Sequence, residues 1–158
     1  MIIASFSPLR PVEIVMTEDV YEDWLPLGQI PDVLYCEGLV DDYGGIKITL
    51  KGRDLSSPSI EVGFRSVIAY RNINETYRLR TLNGAAFPER SQTLFVVQQS
   101  SWISWLKKES GGILDDKELI HYAIFTPEDC IDVVSEFPPT VIWVGAKSEA
   151  PDCGSVTS

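Results

Sequence analysis

The sequence predicts an α+β fold, mainly antiparallel β-sheet or a partial barrel, with two or three short helices mostly in the C-terminal third. Three observations carry this expectation. Short runs rich in β-branched and aromatic residues follow one another through the first two thirds of the chain, punctuated by Gly, Pro, Asn and Asp. One run, Ile46-Lys47-Ile48-Thr49-Leu50-Lys51, alternates apolar and polar strictly, as a strand with one wet face requires. After Ser100 the apolar spacing changes to three and four residues, the period of a helix. At 158 residues the chain is sized for one domain, which is placed at 1–145, with 146–158 as a loose tail of little apolar content.

Taken in order, Val12-Glu13-Ile14-Val15-Met16 and the run from Asp32 to Val40 read as strands. The second joins the 46–51 strand through Asp41-Asp42-Tyr43-Gly44-Gly45, where the glycines permit the positive φ of a hairpin. Residues 59–70 read as one long strand, with Gly63 hinting at a bulge. Thr76–Leu82 and Thr93–Val97 complete an apparent meander, divided by the Asn83-Gly84 turn signal and Pro88. Ser101 is a plausible N-cap for a short helix whose Trp102, Trp105, Leu106 and Glu109 share one side, the two tryptophans pinning it to the sheet, and which Gly111-Gly112 ends. His121–Phe125 is a strand by propensity. Thr126-Pro127-Glu128-Asp129 carries the cap hydroxyl, early proline and acids of a helix start, so 130–134 is expected as helix. Pro138-Pro139 breaks it, and Thr140–Val144 is a last strand.

Charge narrows the function classes. Thirteen Lys and Arg against 23 Asp and Glu give a net charge of -10, a field that repels phosphate polyanions and attracts cationic partners. Nucleic acid is therefore not expected as a direct ligand. Ten of the basic side chains lie between residues 47 and 108 with only four acidic ones, so the flanking segments are strongly acidic. The acids cluster at Glu18, Asp19, Glu22 and Asp23 and again at Asp115, Asp116 and Glu118, with others at Asp41-Asp42 and 128–136. Each cluster is either a solvated face or part of an acidic docking surface that speeds encounter with a basic protein. Apolar runs such as Val141–Val144 are far shorter than the roughly 20 residues of a membrane helix, and Met1–Phe6 lacks a basic leader before Pro8. A cytoplasmic protein without membrane contact is expected.

Few motifs carry chemistry. Cys36, Cys130 and Cys153 are widely and irregularly spaced, which suits inert thiols better than a disulfide framework; with one histidine, no zinc pattern forms and no metal or other cofactor is expected. No nucleophile elbow, dinucleotide loop or Walker loop occurs. His121 is the only imidazole, so any histidine mechanism must use it, oriented by a carboxylate such as Asp115, Asp116 or Glu118 and acting on a cysteine or serine. A hydrogen-bonded structural histidine is the simpler reading of one imidazole at the start of an apolar strand.

Ser101-Trp102 to Trp105-Leu106, Ser110-Gly111-Gly112, Leu119-Ile120-His121-Tyr122 and Thr126 to Ser135 up to Pro138-Pro139 resemble small bacterial proteins, some of them immunity proteins of toxin–immunity pairs. The resemblance covers residues 100–141 and implies a cytoplasmic inhibitor that neutralises a basic toxin, a nuclease for example, without chemistry of its own. Its expected contacts are Asp115, Asp116, Glu118, Glu18, Asp19, Glu22 and Asp23. The alternative expectation is a small-ligand binder or enzyme with a pocket in the curved sheet and His121 or Arg71 as its polar handle.

Overall fold

In the computed structural model the described residues are 19–54, 56–84, 87–88 and 92–145. They form two antiparallel sheets. The first has the order β1 (Val20–Asp23), β6 (Leu94–Gln98), β7 (Ile120–Phe125), β8 (Asp129–Ser135), β5 (Val67–Asn74). The second runs β2 (Leu34–Asp42), β3 (Gly45–Gly52), β4 (Ser59–Phe64), β9 (Thr140–Val144). A 3-10 turn (Glu75–Tyr77), α1 (Leu79–Leu82) and α2 (Ser101–Glu109) complete the elements. The helices are thus few and lie largely before the C-terminal third, unlike the expectation. No described helix is long and apolar enough to cross a membrane.

The core lies between the sheets. Ile46, Ile48 and Leu50 of β3 and Ile60, Val62 and Phe64 of β4 point inward and meet Leu94, Tyr122, Ile124, Ile131 and Val133. Lys47 and Glu61 point the other way and pair at 3.7 Å on the wet face, which is why the sequence alternates here. The β2–β3 hairpin closes at Tyr43-Gly44, with the Gly44 amide donating to Asp42 Oδ1. Gly45 has φ 112°, and a Cβ there would stand 2.0 Å from the Phe64 carbonyl oxygen, so only glycine fits.

The first sheet is covered on both faces. Tyr21, Phe95, Ala123, Phe125 and Cys130 pack on its outer side beneath Leu82 and Phe87. Every residue from His121 to Phe125 and from Cys130 to Ser135 is buried. That double burial explains the principal departure from the sequence reading: 129–135 is a strand, not a helix. Thr126 Oγ1 accepts the amides of Glu128 and Asp129, so the apparent helix cap is a hairpin turn joining β7 to β8.

Three other expectations change. Residues 59–70 divide at Arg65-Ser66 into β4 and β5, which belong to different sheets, and the bulge falls at Val67–Ala69 of β5 rather than at Gly63. Residues 75–82 are helical turns, started by Asn74 Oδ1 accepting the Thr76 amide. Ser100, not Ser101, caps α2, its hydroxyl accepting the Ile103 amide, and Trp105 is 54% exposed, so of the two tryptophans only Trp102 packs inward. Cys130 is buried and Cys36 half-buried. The predicted 12–16 strand, the 146–158 tail and Cys153 lie outside the described residues.

Candidate functional site

The densest polar cluster stands on the outer face of the first sheet. Antiparallel pairing sets Asp132 of β8 between Ala123 of β7 and Arg71 of β5, one step from His121. Asp132 is completely buried and accepts three partners: His121 Nε2 at 3.0 Å, Arg71 Nε at 2.7 Å and the Nη1 of Arg78, in the link between the 3-10 turn and α1, at 2.6 Å. His121, also completely buried, reaches the Ser100 hydroxyl through Nδ1 at 2.8 Å. Trp102 closes the cluster, with its ring edge-on to His121 and the Arg71 guanidinium stacked on it at 4.4 Å.

Burial by itself would raise the Asp132 pKa. The hydrogen bond from His121 and the charges of Arg78 and Arg71 outweigh it and hold the carboxyl at about 2, so it is ionised at neutral pH. An ionised carboxylate only accepts, so His121 Nε2 carries the proton it shares with Asp132.

Serine, imidazole and carboxylate follow one another as in an acyl-transfer triad, but their surroundings give a brace. Ser100 is buried, and its oxygen already accepts the Ile103 amide. Two guanidinium groups meet the Asp132 charge, leaving it less able to stabilise a developing imidazolium. The Ser101 amide, next in the chain after Ser100, donates to Asp19 Oδ1 at 2.6 Å and so is not free to hold an oxyanion. The cluster ties β5, β7, β8, α1 and α2 together. Neither His121 nor the buried side of Arg71 is presented to a pocket ligand, and Asp132 rather than Asp115, Asp116 or Glu118 orients the imidazole.

The expected contact acids fall into two groups. Asp116 and Glu118 line an open cleft of about 480 Å³ with Lys117, Ile120, Glu136, Phe137 and Pro138. Lys117 is engaged with Glu136 at 2.5 Å, whereas Asp116 and Glu118 have no hydrogen bond or ion pair among the described residues. Phe137 beside them is 62% exposed. Asp115 flanks the cleft, its carbonyl accepting Lys107 Nζ. Asp19 caps α2, Glu22 accepts from Gln98 Nε2, Asp23 is exposed, and Glu18 lies outside the described residues.

Register shows which of these meet. Val20 faces Gln98 and Val97 faces His121, so Asp19 and Glu118 lie at the same end of the sheet, on strands two positions or about 10 Å apart. Glu22 and Asp23 run away from that end along β1, Asp23 facing Phe95. Among the described residues no three of His, Cys, Asp and Glu gather as a metal site would require. No family model matches the chain, and neither the curated proteins nor the solved structures provide a match.

Sequence reasoning missed Asp132, Arg78 and Ser100. Reading 129–135 as a strand would have found the first, because a tight hairpin after Phe125 sets residue 132 opposite 123 and diagonal to 121 on the same face.

Proposed function

We propose that this protein is a non-enzymatic acidic binding protein of the immunity type, which neutralises a basic bacterial toxin, such as a nuclease, by covering its active site. The observation that carries the reading is the cleft in which two carboxylates without a partner among the described residues, Asp116 and Glu118, stand beside an exposed aromatic ring, Phe137. Carboxylates on a -10 chain take the places a nuclease reserves for phosphates, and long-range attraction speeds the encounter. Phe137 supplies a ring face for a Lys or Arg side chain and an apolar anchor that is desolvated on contact. Asp19 adds a carboxylate at the same end of the first sheet as Glu118, and Glu22 and Asp23 place two more farther along β1. Burial of His121 and Ser100 supports the same reading, since it keeps the one imidazole and its serine from a ligand.

The test is calorimetric titration with the basic toxic domain encoded beside the gene, over a salt series. Affinity is expected to fall steeply as salt rises and to drop about tenfold or more in Asp116→Asn/Glu118→Gln. Absence of binding, or binding indifferent to salt, refutes the proposal.

A further inference from the structure

Four strands form the edges of the two sheets, and three carry features that keep an edge from pairing with another chain. β1 has only four residues, two of them Glu22 and Asp23. β2 is interrupted by a register shift between Cys36 and Gly38 and carries Glu37, Asp41 and Asp42. β5 is interrupted between Val67 and Ala69 and carries Arg71.

β9 is only one residue longer than β1, but it carries neither a charge nor a register break. Thr140-Val141-Ile142-Trp143-Val144 contains no charge, and no Asp, Glu, Lys or Arg occurs from Phe137 to Ala146. Its register with β4 is unbroken from Gly63↔Thr140 to Ser59↔Val144. Its other side pairs with no strand among the described residues. On the outer face Ile142 is 46% and Val144 42% exposed.

Charge selects the occupant. Two copies of a chain of net charge -10 repel across most of their surfaces, and β9 is an edge at which they can meet with no carboxylate in the pairing. A basic partner finds nothing there to pair with. The strand is also self-complementary: antiparallel pairing about a two-fold axis at Ile142 sets Ile142 against Ile142, Val144 against Thr140 and Trp143 against Val141, all favourable cross-strand pairs. We propose that β9 is the homodimerisation edge of this protein, joining two four-stranded sheets into one. The inference is independent of the immunity reading. A five-residue strand pair buries less than the roughly 1,200 Å² of a standard interface, so the dimer is weak and concentration-dependent.

Sedimentation velocity over a concentration series tests it. The expected result is a reversible shift from one chain mass toward two, with a dissociation constant between about 1 μM and 1 mM. Ile142→Lys places two like charges opposite each other on an exposed face and is expected to raise that constant about tenfold or more; Val144→Lys, a second exposed position, does the same. Val40→Lys on the already protected β2 edge leaves it within about twofold. Circular dichroism of each variant verifies the fold. A monomer at every concentration overturns the proposal, as does a dimer that survives both β9 lysines. A monomer whose β9 amides resist hydrogen exchange assigns the edge to another segment of the same chain and also overturns it.

Discussion

Replacing Asp132 by asparagine tests whether the buried brace holds the outer face of the first sheet together. The substitution keeps the shape of the side chain and removes the charge that the guanidinium of Arg78, 9% exposed, and that of Arg71, 35% exposed, both face. One amide oxygen can satisfy either the arginines or His121, not both. Removing one member of a buried ion pair costs about 3–5 kcal/mol, and the half-exposed Arg71 recovers part of its solvation, which points to the lower end. Against a total stability of about 5–15 kcal/mol, this is a large fraction. In urea, with a slope of about 1–3 kcal/mol per M, the midpoint at neutral pH is expected to fall by about 1–3 M.

The pH dependence gives a second reading of the same group. A carboxyl held at about 2 in the folded chain, against 3.8 in its ordinary state, stabilises the fold above about pH 4 and loses that contribution as pH falls toward 2. The difference is worth about 2 kcal/mol, without discount for solvent screening because Asp132 is fully buried. Wild type should show this acid loss, and Asp132→Asn should lack it. A midpoint shift below about 0.5 M at neutral pH, or an acid loss of equal size in the variant, refutes the assignment of the brace as a main source of stability.

Two further outcomes concern single positions. Gly45→Ala forces a Cβ into the Phe64 carbonyl at positive φ, and urea unfolding should show a loss of about 2 kcal/mol or more; a loss under about 0.5 kcal/mol contradicts the hairpin geometry. Tyr21→Phe removes a buried hydroxyl that has no hydrogen-bond partner among the described residues, so stability should be unchanged or rise by up to about 1 kcal/mol, and a loss above about 2 kcal/mol would reveal a partner. In wild type the Tyr21 phenol, pushed up to about 12 by burial and by the neighbouring Asp132 charge, should be among the last to ionise in an ultraviolet pH titration.

What could be read directly from the sequence follows from where water is. In β3, Ile46, Ile48 and Leu50 face the core while Lys47 and Lys51 face solvent, so alternation alone identifies strand, register and inward face. The Tyr43-Gly44-Gly45 hairpin, the stop at Gly111-Gly112, the strand at 140–144 and the strong negative charge are local or compositional properties and are equally legible. The outer face of the first sheet is different. Because α1 and α2 cover it, β7 and β8 are buried on both sides and lose the wet-face alternation that marks a strand, while Thr126 offers the same oxygen to backbone amides in a hairpin turn as in a helix cap. The sequence by itself therefore determined the strand-rich class, the wet faces and the acidity. Only the tertiary structure decided that 129–135 pairs with 120–125, and hence that Asp132 meets His121, Arg71 and Arg78. Contacts across 11 to 61 residues depend on which faces the rest of the chain covers, a property no local window of sequence contains.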